Sequence, residues 1–169
     1  FGKVGSESSK KPCEGVEYRV VRGASLSGFI EPGEEVKILN NFYDCNEVQL
    51  GDFVMYRYAG NSAIGEGDPD PILKIVKAVP GDKIEIMSGD ENMRLLINGE
   101  VAKTSKDEPY RLNSRAVKML SLYITDYKGA IPKDAYLLLG NLANGSLGST
   151  IFGLAGRADI FGKAEKIGL

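Results

Sequence analysis

Pro71-Ile72-Leu73-Lys74-Ile75-Val76-Lys77-Ala78-Val79-Pro80-Gly81-Asp82 is the run on which the fold turns. It is rich in β-branched residues and closes on a Pro-Gly-Asp turn signal, a pattern that predicts a strand rather than a helix. On a strand Lys74, Val76 and Ala78 share one face, and Leu73, Ile75, Lys77 and Val79 share the other. Both faces are largely apolar. A lysine embedded there must either carry its ammonium out to water along its methylene stem or lose its charge by desolvation. The second outcome makes Lys74 a candidate catalytic base.

A chain of 169 residues is long enough for one domain with a sizeable core. Its net charge of -2 gives no electrostatic case for nucleic acid, which needs clustered positive charge. Twenty-one glycines with 8% aromatics and no tryptophan point to many turns between short strands, as in an all-β architecture. The chain has no histidine, which excludes a Ser-His-Asp triad, a Cys-His pair and any histidine-based zinc site within it. A nucleophile here would need a lysine, a carboxylate or an amine as its base. The two cysteines, Cys13 and Cys45, are too few for a zinc knuckle; they could close one disulfide or be unrelated thiols. No apolar run approaches the roughly 18 to 20 residues that span a bilayer, and no signal-peptide pattern opens the chain. Phe1 to Lys11 is Gly/Ser/Lys-rich and reads as a linker or flexible terminus.

In chain order, strands are predicted at Val16–Val21, Glu35–Leu39, Lys83–Met87, Leu95–Ile97 and Ala135–Leu139, with a last one in Gly156–Ala164, and within Val48–Tyr58 a Gly51-Asp52 turn feeds a further strand. Asn98-Gly99 between Ile97 and Val101 is a two-residue hairpin signal. Asn40–Asn46 and Gly140–Ser149 read as loops. Ala59–Asp70 reads as an exposed loop whose Glu66, Asp68 and Asp70 lack the spacing of a calcium loop. Ala102–Asp134 is the least regular part, with a helix expected around Ser114–Leu120 and a short strand at Leu122–Ile124. Small residues flank Ser25 in Arg22-Gly23-Ala24-Ser25-Leu26-Ser27-Gly28, so a substrate backbone could approach its hydroxyl closely. The alternative is a plain Gly/Ser turn between strands.

Taken together, these segments resemble the boxes of type I signal peptidases, Ser/Lys-dyad membrane peptidases of the leader-peptidase family. Gly23-Ala24-Ser25-Leu26-Ser27-Gly28 is similar to the Gly-x-Ser-Met-x-Pro box, with Leu26 for Met and Gly28 for Pro. Leu50-Gly51-Asp52-Phe53-Val54 resembles Arg-Gly-Asp-Ile-Val, and Lys74 through Asp82 resembles Lys-Arg-x-x-Gly-x-Pro-Gly-Asp. Leu95-Leu96-Ile97-Asn98-Gly99 is similar to Leu-x-Ile-Asn-Gly. The last box, from Gly140-Asn141 through Ser149-Thr150 to Gly153, has lost charge, with Asn141, Gly148 and Thr150 where the family often has Asp, Asp and Arg. In the family those charges buttress the loop near the lysine.

The resemblance, which runs from about Val20 to Lys163, implies a single all-β domain of coiled antiparallel β-sheets, the signal peptidase/LexA-like catalytic fold. Residues 1–15 would be a leader from a missing N-terminal membrane anchor and 16–169 the catalytic domain, with a variable insertion at about 102–134. Ser25 would be the nucleophile, Lys74 the general base and the Ser25 backbone N–H the oxyanion donor. Ser146, or more weakly Ser149, would orient the lysine. Leu26, Phe29, Ile30 and Val76 would line shallow pockets for small side chains, or be core. Phe29, Ile30, Ile151 and Phe152 would face the membrane. The implied substrates are secretory preproteins with small residues before the cut, processed at the extracytoplasmic membrane surface without cofactor, metal or nucleic acid. A LexA-like self-cleaving regulator would share the chemistry, but no helix-turn-helix precedes Ser25. A weakly active relative serving as an assembly chaperone, as in pilus biogenesis, would suit the depleted last box, against which stand the intact Ser25 and Lys74.

Overall fold

The run at 71–82 becomes a strand buried on both faces, and the rest of the molecule is arranged to cover it. The computed structural model describes residues 13–57, 71–144 and 148–167. In order, the elements are β1 (Gly15–Val20), β2 (Glu35–Asn40), β3 (Phe53–Tyr56), β4 (Ile72–Ala78), β5 (Ile84–Ser88), β6 (Met93–Ile97), β7 (Glu100–Val101) and β8 (Arg111–Leu112). They continue with α1 (Ser114–Tyr127), β9 (Ala135–Leu139), α2 (Ser149–Phe152), β10 (Ala155–Gly156) and β11 (Ile160–Lys166). Seven strands form one sheet in the order β1-β2-β11-β3-β4-β9-β10, and β5, β6 and β7 form a second, with β8 also paired to β6. Every pairing is antiparallel, as the all-β reading expects.

β4 supplies side chains to three apolar clusters. Ile75 joins Leu26, Ile30, Val36, Ile38 and Met55. Val76 joins Val54, Tyr136, Leu138 and Ile160 on the opposite face. Ala78 joins Ile84, Leu95, Leu120 and Leu137. The register of β4 on β9 shifts between Val76 and Ala78, so the strict alternation expected along the run breaks at Lys77.

Two motifs meet at the end of β4. The Asp82 carboxylate accepts from the Val79 N–H at 2.9 Å and from the Asn98 side chain at 3.0 Å. Asn98, at φ 51, and Gly99, at φ 82, make the two-residue turn between β6 and β7. Asp82 thereby ties β4 to the hairpin of the second sheet.

Several expectations change. Leu122–Ile124 is helical, because α1 runs on to Tyr127. Asn113 caps it through a 2.8 Å bond from the Ala116 N–H, and Ala116, Leu120 and Ile124 recur at helical spacing to pack on the second sheet's core. Within residues 102–134, β8 pairs with β6 and α1 shares the core with Ile84 and Leu95. The Gly51-Asp52 turn forms as expected, with the Asp52 side chain accepting from the Gln49 N–H at 3.0 Å, and it feeds the strand Phe53–Tyr56. Arg157–Asp159 is a 3-10 turn, which delays the last strand to Ile160. Cys13 and Cys45 are disulfide-bonded. Glu66, Asp68 and Asp70 lie outside the described residues, and among the described residues no group of three metal-ligating side chains forms.

Candidate active site

Ser25 lies in the loop that joins β1 to β2. The ladder of those strands continues into the loop through Val21 N–H to Glu34 O and Gly33 N–H to Val21 O, at 2.8 and 2.9 Å. Inside, Ser27 N–H bonds Ala24 O and Ile30 N–H bonds Leu26 O, which winds residues 24–30 into tight turns. Leu26 and Ile30 are each 1% exposed and plug this winding into the cluster that holds Ile75. Glu31 accepts from the Gly28 N–H at 2.8 Å, and that bond, with one from Ser27, holds its carboxyl below the usual value.

Lys74 is 3% exposed. It pairs directly with Val54 on β3, and Val76, two residues on, pairs with Leu138 on β9. Val54, Val76 and Leu138 are apolar, and burial pushes the Lys74 amine down to about 8. Lys77, by contrast, donates to Lys103 O at 3.2 Å and lies 5.6 Å from the Tyr110 ring centroid.

Two links converge on Ser25 and Lys74. Leu26, next to Ser25, and Ile75, next to Lys74, belong to one cluster. Ser25 C=O accepts from the Asn141 N–H at 2.6 Å, and Asn141 lies two residues beyond Leu139, the β9 partner of Ile75. Continuing that register by one step sets Gly140 opposite Lys74.

Asn141 is the residue whose role the sequence does not announce. At 5% exposure, its Nδ2 donates to Ser27 O at 2.8 Å and to Ser105 Oγ at 2.6 Å, while its Oδ1 accepts from the Ser105 N–H at 2.8 Å. A neutral amide network therefore buttresses the serine loop. Gly28 is its counterpart: at φ 100 it has no Cβ, which would come within 2.8 Å of both Asn141 Nδ2 and Ser105 Oγ. Glycine in place of proline is what admits the amide.

The other expected site residues divide. Ser149 is 2% exposed, and its hydroxyl accepts from the Leu138 N–H at 2.8 Å. Ser146 lies outside the described residues. Leu26, Ile30 and Val76 are core, with at most 1% exposure, and cannot line an open pocket. Packing decides this, since the same apolar side chains that would suit a pocket fill the clusters around β4. Phe29, at 37% exposure against the Phe53 ring, retains surface. The expected membrane patch fails at Ile30 for the same reason, and Ile151 and Phe152 are half-buried in α2. Exposed apolar surface lies instead on β1, at Val16, Tyr18 and Val20.

The model of the signal peptidase family, peptidase S26, matches residues 15–168. Signal peptidase IB of Staphylococcus aureus, from strains Mu50 and N315 among others, is 31% identical over 157 residues, covering 86% of this chain and 73% of its own. A solved signal peptidase I of Enterococcus faecalis V583 aligns at a TM-score of 0.45 and 19% identity, over 70% of this chain and 97% of its own. With its family model spanning nearly the whole antiparallel β-structure and the serine and lysine boxes within it, the chain belongs to the signal peptidase family, peptidase S26, and is a serine peptidase.

Proposed function

We propose that this chain removes N-terminal signal peptides from secreted preproteins, with Ser25 as nucleophile and Lys74 as its general base. The observation that carries the reading is the burial of Lys74 between Val54 and Val76, which brings its amine to about 8 in a chain without histidine. Ser25 Oγ attacks the scissile carbonyl carbon while its proton passes to the neutral Lys74 Nζ. The oxyanion that forms accepts from the Ser25 backbone N–H. Collapse breaks the C–N bond, and the lysine ammonium returns the proton to the leaving amine. Water, deprotonated by Lys74, then attacks the acyl-enzyme ester, and the lysine ammonium returns that proton to Ser25 Oγ as it leaves. Ser149 fits the part of orienting the lysine, because a hydroxyl that accepts from Leu138 N–H keeps its own proton to donate; Ser146 is the other candidate.

The reaction is assigned to the extracytoplasmic membrane surface. The Cys13–Cys45 disulfide suits an oxidising compartment, and the Val16, Tyr18 and Val20 stripe on the edge strand beside the serine loop suits contact with lipid. Ser25→Ala and Lys74→Ala are each expected to abolish cleavage of a preprotein with small residues before the cut, while circular dichroism and melting remain those of a folded protein. Cleavage retained in Lys74→Ala would remove the lysine from the mechanism.

A further inference from the structure

Three arginines on and beside the second sheet, Arg94, Arg111 and Arg115, are drawn into none of the ion pairs of the described residues. Arg94 on β6 and Arg111 on β8 are direct antiparallel partners, so their side chains leave one face with Cβ atoms about 5 Å apart, where like charges repel. Nη1 of Arg94 is buried without a hydrogen-bond partner. Arg115 follows in the first turn of α1. Arg111 donates to Asn144 Oδ1 at 3.3 Å.

Arg111 and Arg115 line an open groove of about 370 Å³. Its wall includes Leu95, Leu112, Leu139 and Ile151, and no acidic residue lines it. The groove reaches Gly140, whose neighbour Asn141 grips the Ser25 carbonyl. An apolar-walled groove lined by two arginines and no carboxylate suits a ligand that brings both a carboxylate and apolar surface.

We propose that this groove binds an acidic side chain of the preprotein, carried on the segment flanking the scissile bond, with Arg111 and Arg115 receiving the carboxylate. The assignment rests on the signal-peptide reading above. A polypeptide is favoured over a lipid headgroup because the groove is walled by leucines and continuous with the residues that hold Ser25.

The test uses peptides that span a cleavage site and differ only by Glu or Gln at successive positions on either side of the cut. At one or two positions Glu should raise kcat/KM roughly fivefold over Gln, through KM, as expected for a few partly exposed charge contacts. Arg115→Glu and Arg111→Glu should each abolish that ratio, about 1 M salt should flatten it, and Lys118→Glu on the exposed face of α1 should leave the ratio as it is. Binding of the same peptides to the Ser25→Ala protein, followed by fluorescence anisotropy, should show the same Glu preference and the same loss. If the wild type cleaves none of the peptides, the function assigned above fails while the binding experiment still decides the groove. A Glu-to-Gln ratio of one at every position, or a ratio unmoved by both arginine variants, overturns the proposal. So does binding to vesicles containing anionic phospholipid that the arginine variants weaken while peptide binding stays unchanged.

Discussion

Burial of Lys74 costs the folded state free energy whenever the amine is charged. Its value near 8 lies below the roughly 10.4 of a solvated lysine, so between the two the unfolded chain holds the extra proton and stability rises with pH. Below about 8 the amine is protonated in both states and the cost is fully present. Lys74→Met is therefore expected to be more stable than the wild type by about 2 to 3 kcal/mol at acidic pH, the gap closing as pH climbs past 8 towards about 10.4. Urea melts across that range check this, and parallel curves for the two proteins would refute it. With Lys74 as the proposed base, peptide cleavage should rise with pH through the same value near 8, where the amine becomes neutral. The lysine itself was legible in the sequence, since an apolar run of β-branched residues leaves few ways to solvate it. Asn141 was not. Its weight comes from Ser27 and Ser105, and Ser105 is 36 residues away, so only the folded chain brings these partners together.

Among the elements, the serine loop and α1 illustrate two ways local preference is overruled. The loop works because Gly28 leaves room for the Asn141 amide, whereas Gly23, at φ 78, faces open space. Gly28→Ala should thus combine backbone strain with displacement of Asn141 and destabilise by about 1 to 3 kcal/mol, with a drop in kcat. Gly23→Ala should show the strain alone, about 1 kcal/mol. Thermal melts and turnover of the two variants separate the effects, and equal losses would deny Asn141 its positioning role. In α1, Tyr123 and Ile124 favour a strand on propensity, which is why a strand was expected there. The helix prevails because Ala116, Leu120 and Ile124 form one apolar stripe over the second sheet, and Tyr123 stacks on Tyr127 one turn along.

At the scale of the molecule, β4 joins three clusters that would otherwise be separate cores, and the disulfide fastens the start of β1 to the turn after β2. That bond spans 32 residues of sequence, so reducing it is expected to cost about 2 to 4 kcal/mol, seen as a lower urea midpoint with the slope changed by the freed segment. An unchanged midpoint after reduction would mean that the sheet pairing alone holds β1. The sequence by itself determined the antiparallel β-class, the strand at 72–78 and the Asn-Gly hairpin, because these rest on alternation and turn residues. Only the tertiary structure decided that Leu26, Ile30 and Val76 are core rather than pocket, that Cys13 meets Cys45, and that Asn141 bonds the serine loop and Ser105. Each of these depends on which distant segments pack together, and burial and hydrogen-bond partnership between such segments are properties of the assembled sheets.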